Sequence, residues 1–216
     1  MHFFKNCFDD DKWINEVGEV VGELLDNAYS HTSGDCLIDI DLCDANDQNQ
    51  SSYKFLNVAV INISENRIFD QIKYNIIEGK YCKDDKLYKD VYTAYENHKS
   101  FFTDHYEEDD FFQITAFQNG VTSRTVESGN SGKGLTALIK NIVGKTHESF
   151  SYVLSGKNIL YFKEDYLDIN TTGFIGFNET ADYISTKPTD EVVLKSDLYV
   201  PGTIFHLSLI RKKNED

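Results

Sequence analysis

Glu23-Leu-Leu-Asp-Asn-Ala-Tyr-Ser-His31 closes a helical pattern that opens near Asp10. Trp13, Val17, Val20, Val21, Leu24, Leu25 and Ala28 recur at three- and four-residue spacing and form one apolar face. The acidic triplet Asp9-Asp10-Asp11 suits a helix N-terminus, where free N–H groups and the dipole favour negative charge. Gly34 follows where a stop is expected. Glu23 and Asn27 lie one turn apart, so they share a face at the edge of the apolar stripe. A carboxylate and a carboxamide stacked this way have two uses at a triphosphate. Asn27 can offer its carbonyl oxygen to Mg²⁺, a hard cation that prefers oxygen ligands. Glu23 can orient or deprotonate an attacking water. Taken alone, the pair is equally a polar helix edge with nothing bound.

Two strand-like runs follow, Cys36–Cys43 and Tyr53–Ile63, with a polar hairpin loop at 44–52. Residues 69–128 read as helical patches with aromatic stripes, expected to pack as a layer over the core. Their acidic run, Glu107-Glu108-Asp109-Asp110, reads as a solvated face. A helix is expected from Gly132 to about Val143. Strands are expected at Ser149–Leu154, Asn158–Phe162, Gly173–Phe177 and Thr203–Ile210, with Ser155-Gly156-Lys157 as a tight hairpin turn. This order makes an α+β two-layer sandwich, a mixed and mostly antiparallel sheet covered on one face by helices. The only prolines are Pro188 and Pro201, so no proline-rich linker divides the chain, and residues 1–216 read as one domain.

The formal net charge of −15 argues against direct nucleic-acid or membrane binding, because an acidic surface repels phosphate backbones and anionic lipid. A nucleotide site here would need backbone N–H groups more than basic side chains. No apolar run long enough to span a bilayer is present, and no signal peptide is legible, so the cytoplasm is the default location. Cys7, Cys36, Cys43 and Cys82 form no CxxC pair, and Cys36 and Cys43 read as buried thiols of a strand. The histidines show no metal-ligand spacing, and no Ser-His-Asp or Cys-His constellation is legible.

Gly129-Asn-Ser-Gly132-Lys-Gly134-Leu135 leads into the expected last helix. Glycines at this spacing let backbone approach a polyphosphate, and the helix N-terminus presents free N–H donors to it. Lys133 adds a point charge. The spacing is not that of a P-loop.

Together these pieces resemble the GHKL (Bergerat-fold) ATP-binding domains shared by gyrase, heat-shock chaperone, histidine kinase and mismatch-repair ATPases. Glu23-Leu-Leu-Asp-Asn27-Ala resembles the N box, and Gly129-x-x-Gly132-x-Gly134-Leu135 the glycine box that closes the ATP lid. Pro201-Gly-Thr203-Ile-Phe-His-Leu-Ser-Leu209 resembles the final strand. The pieces fall in the family's order. The resemblance implies ATP and Mg²⁺ as ligands, Glu23 as base, Asn27 as the magnesium ligand, and residues 69–128 as the lid region. The family's Asp-x-Gly-x-Gly box is degenerate here: Asn62 stands where the adenine-binding Asp is usual, with Ser64 and Asn66 at the glycine positions. Asn accepts through its side-chain oxygen without charge, which implies weaker adenine selection.

The implied function is a slow ATPase or nucleotide-switched regulator acting with a protein partner. A regulatory binding module that kept the fold and lost turnover is the alternative, and a serine protein kinase of the anti-sigma type is a further one. With so short a segment before the N box, a phospho-acceptor helical hairpin is not expected in this chain.

Overall fold

The computed structural model describes residues 11–31, 35–46, 52–123, 134–145 and 151–212. The elements run α1 (Asp11–His31), β1 (Cys36–Asn46), β2 (Ser52–Ile63), α2 (Asp70–Ile77), α3 (Lys86–His98), α4 (Glu108–Ala116), α5 (Gly134–Ile142), β3 (Tyr152–Tyr161), a short 3₁₀ turn (Glu164–Tyr166) and β4 (Val193–Lys212). The sheet order is β1-β2-β4-β3, and every pairing is antiparallel. The α+β sandwich is therefore as the sequence implies, without the parallel component that a mixed sheet would have.

The sheet takes its two faces from the period of two. Leu56, Val58, Val60 and Asn62 of β2 are buried, while Phe55, Asn57, Ala59 and Ile61 between them are half-buried. Register places Phe205, Leu207 and Leu209 of β4 beside the buried set. Helices cover that face. The apolar stripe of α1 is buried from Trp13 to Ala28, against Leu138, Ile139 and Ile142 of α5 among others.

β3 does not run straight. Ten residues in one extended line would span about 30 Å. Yet Phe162 N donates to Ser151 O at 2.9 Å, and the Tyr152 and Tyr161 rings lie 5.5 Å apart. The strand folds back at Gly156, whose φ is +67°, so the expected tight turn at 155–157 is present. β4 wraps this hairpin, pairing Val193–Lys195 with its second arm and Thr203–His206 with its first.

Three expectations are corrected. Gly173–Phe177 is not a strand: its one ladder contact is an isolated bridge, Ile169 to Ile175. Cys36 and Cys43 are exposed, because β1 is an edge strand. The acidic run at 107–110 is no solvated face. Asp110 is buried, accepting from Glu107 N at 2.7 Å and from Lys195 Nζ at 2.6 Å. Asp109 pairs with Arg67 and Lys73, and Glu108 with Lys73. These carboxylates open α4, where the dipole also favours them.

The aromatic stripes of 69–123 form a packed layer, as expected. Tyr81, Tyr88, Tyr106, Phe111, Phe112 and Phe117 are all buried, and each such ring stabilises the fold by roughly 1.5–3 kcal/mol over exposure. His98 sits among them, within ring contact of Phe111 and Tyr106. Its Nε2 meets the Tyr183 carbonyl at 2.9 Å, which only an N–H can do, so its Nδ1 accepts from the Tyr106 hydroxyl at 2.6 Å. Burial drives the His98 pKa down to about 4.

Candidate functional site

Three residues singled out from distant parts of the chain meet at one end of the sheet. Asn62, the last buried residue of β2, donates from Nδ2 to the carbonyl of Ala28 at 3.4 Å, tying the strand to the residue next to Asn27. Across the ladder Asn62 stands opposite Thr203 of β4. The approach there is close because residue 202 is glycine. Its φ is +100°, and a Cβ would overlap the Asn62 carbonyl oxygen and come within 2.8 Å of the Ser64 nitrogen. Ser64 N bonds to the Pro201 carbonyl at 3.4 Å, continuing the contact into the loop.

That loop is held by side chains as well as backbone. Thr203 Oγ1 lies 2.8 Å from Ser155 Oγ, and both hydroxyls face the Ile68 N–H, at 3.2 and 3.3 Å. Thr203 and Ser155 are buried. Ser64 Oγ donates to the Asn66 carbonyl at 2.6 Å, closing a small turn that leaves Asn66 exposed. The loop therefore turns through Ser64 and Asn66 without glycines, its hydroxyl supplying the bond that stabilises the bend. Arg67 locks the far end. Its guanidinium pairs with Asp70 and Asp109 and stacks 4.5 Å from the Phe69 centroid.

Glu23 and Asn27 are half-buried in the C-terminal turns of α1, the end tied to β2 through the Ala28 carbonyl. The Asn27 Nδ2 is buried and has no hydrogen-bond partner among the described residues, and a buried unsatisfied amide is uncommon enough to need a reason. α5 runs antiparallel to α1. Lys145 pairs with Glu16 at 2.9 Å, and Asn141 reaches Glu19 at 3.4 Å. At about 1.5 Å per residue in each helix, the N-terminal end of α5, Gly134-Leu135, comes level with Glu23 and Asn27. Leu135 packs against the core, and Thr136 anchors the helix start by donating to the Phe117 carbonyl at 2.9 Å. Gly129, Gly132 and Lys133 lie outside the described residues.

The start of α5 thus lies level with the C-terminal turns of α1, which carry Asn27, beside the strand end at Asn62. Mg²⁺ takes one or two protein oxygens and completes its shell with phosphates and water, so a lone Asn27 fits it better than a multi-carboxylate cage. Among the described residues no group of three or more His, Cys, Asp or Glu gathers as a metal site. Ser155 and the Ile68 N–H were not legible as site residues. Ser155 carries only a turn signal in sequence, and its partner Thr203 is 48 positions away. Comparison of the chain with protein-family models, with curated proteins and with solved structures finds no match.

Proposed function

We propose that this chain binds Mg-ATP in the manner of the GHKL domains it resembles and acts as a slow ATPase or nucleotide-switched regulator together with a protein partner. The observation that carries the reading is that Asn62 stands opposite Thr203 and bonds to the carbonyl of Ala28, the residue after Asn27, so that three separate elements meet at one end of the sheet. The start of α5 lies alongside. Asn27 holds the magnesium ion and Glu23 orients the attacking water. Asn62, Thr203 and the Ser64–Asn66 turn receive the base. The α5 N-terminus at Gly134-Leu135 would face the phosphates, and the resemblance assigns Gly129, Gly132 and Lys133 to the same role. The ATP supplies the scissile phosphoanhydride; the chain supplies positioning and the exclusion of bulk water.

One observation favours the second reading, a regulatory module without turnover. The side chain at the base position is the uncharged Asn62, and its Nδ2 already donates to the Ala28 carbonyl. The two readings separate by experiment. Calorimetric titration with ATP and ADP, each with and without Mg²⁺, is expected to show magnesium-dependent binding that Asn27→Ala abolishes. Saturation at a hundred times Kd adds about 2.7 kcal/mol of stability, roughly 5–10 °C in Tm for a chain of this size. Glu23→Ala then leaves binding intact and removes phosphate release. Binding without release in the parent protein selects the regulatory module. No heat and no thermal shift at millimolar nucleotide would refute the nucleotide reading altogether.

A further inference from the structure

β1 (Cys36–Asn46) is the outermost strand of the sheet beside β2, and no described segment hydrogen-bonds along its free edge. Eleven residues is long for such an edge, which offers a row of unpaired N–H and C=O groups. Its side chains are exposed as well. Leu37 is 62% exposed and Ile38 38%. Asp35, Asp39 and Asp41 form no ion pair among the described residues. Their neighbours in the sheet offer no cation either: Asp39 stands opposite Ala59 and Asp41 opposite Asn57. The edge therefore combines an open hydrogen-bonding ladder, exposed apolar side chains and uncompensated negative charge at Asp35, Asp39 and Asp41.

We propose that this edge accepts an added β-strand from a partner protein, an extended segment in which Lys or Arg alternates with apolar residues. The charge selects the occupant. A second copy of this chain would bring another net −15 and another row of aspartates to the same edge, and like charges directly opposite destabilise strand pairing. A nucleic acid has no amide ladder and repels the same carboxylates. A basic strand satisfies both features at once. Its backbone completes the ladder, its apolar residues extend the Ile38-Ile40-Leu42 face, and on the opposite face its cations sit within about 5 Å of Asp39 and Asp41, the spacing of cross-strand pairs. Backbone bonds supply the affinity and alternate side chains the selectivity, as in other strand-addition complexes. The edge begins one strand away from Asn62, opposite which Cys36 stands, and its test needs no nucleotide.

The probes are two capped, fluorescein-labelled peptides of equal length and charge, one alternating Lys with Val and one alternating Lys with Pro. Proline removes ladder donors and prevents extended pairing while the charge stays the same. Anisotropy titration of the full chain is expected to show the Lys-Val peptide binding at least about tenfold more tightly than the Lys-Pro peptide. The Asp39→Lys/Asp41→Lys variant should lose that binding. Both positions are exposed, and an unchanged unfolding midpoint would show that the variant folds. Amide resonances of Cys36–Cys43 should shift with the Lys-Val peptide alone. Equal binding of the two peptides would reduce the edge to a charged surface and overturn the proposal, as would indifference to the charge reversal or no binding at about 1 mM. Sedimentation showing a dimer that buries Cys43 from alkylation would assign the edge to a second copy and overturn it too.

Discussion

Alanine at two glycines, Gly202 and Gly22, should push stability in opposite directions, and the difference follows from their surroundings. Gly202 has a φ of +100°, a region that costs an L-residue about 1–3 kcal/mol. An added Cβ would also overlap the Asn62 carbonyl oxygen, which is backbone and cannot swing aside. Relieving such overpacking costs roughly another 1–3 kcal/mol. Gly202→Ala should therefore destabilise by about 2–6 kcal/mol, a large share of the 5–15 kcal/mol typical of a folded domain. Gly22 lies inside α1, and a Cβ there meets nothing within 4 Å. Gly22→Ala should stabilise by about 0.5–1 kcal/mol, the helix-propensity difference alone. Urea unfolding at pH 7.5 reads both values from the midpoint at constant m. Gly202→Ala should also weaken ATP binding, because the backbone it displaces carries Asn62 and Ser64. A Gly202→Ala protein within about 0.5 kcal/mol of its parent would refute the close approach of β4 to β2 at this point, and with it the register Asn62–Thr203.

Burial lowers the His98 pKa from 6.5 to about 4, so between those values the unfolded chain binds more protons than the folded one. Stability is then full above about pH 6.5 and falls as pH drops towards 4, by roughly 3 kcal/mol from this residue. His98→Gln should flatten that portion of a urea-midpoint profile, and an unchanged slope would contradict the neutral buried ring. Asp109→Asn leaves Arg67 and Lys73 without their shared carboxylate; a loss of about 1–2 kcal/mol is expected after discounting for partial exposure. Because the Lys73 and Arg67 cations outweigh burial and hold the Asp109 carboxyl below its usual range, the difference between parent and variant should begin to shrink as pH falls below about 4 and vanish only below that lowered value. Cys36, Cys43 and Cys82 are exposed, so at least three thiols should react with a disulfide reagent in the native protein. Fewer than three would place β1 or the α2–α3 connection under cover.

Much of the fold was legible because it rests on periodicity. The stripe of α1 and the alternation of β2 are local patterns that burial rewards directly, and both elements form within a residue or two of where the sequence puts them. The turn at Gly156 was legible from its residues as well. What failed depended on neighbours. Gly173–Phe177 carries strand-like residues, but Phe174, Ile175 and Phe177 are buried by packing and not by a ladder. The acidic run looked solvated because its cations, Arg67, Lys73 and Lys195, lie 35 to 88 positions away. Cys36 and Cys43 looked buried because apolar company is no guide to a strand's place in the sheet.

The candidate site divides in the same way. Sequence by itself determined which residue types stand where: Glu23 and Asn27 one helical turn apart, an uncharged Asn62 ending an apolar strand, and a Gly-Thr pair opening the last stretch of β4. Helical and strand periods are set by the covalent backbone, so such relations hold wherever those elements form. Only the tertiary structure decided that these residues meet. Antiparallel register sets Thr203 beside Asn62, the absence of a Cβ at Gly202 lets their strands close, and the antiparallel packing of α5 on α1 brings Gly134 level with Asn27. Each of these contacts joins segments tens of residues apart, and it is burial of the shared apolar face that brings such segments together.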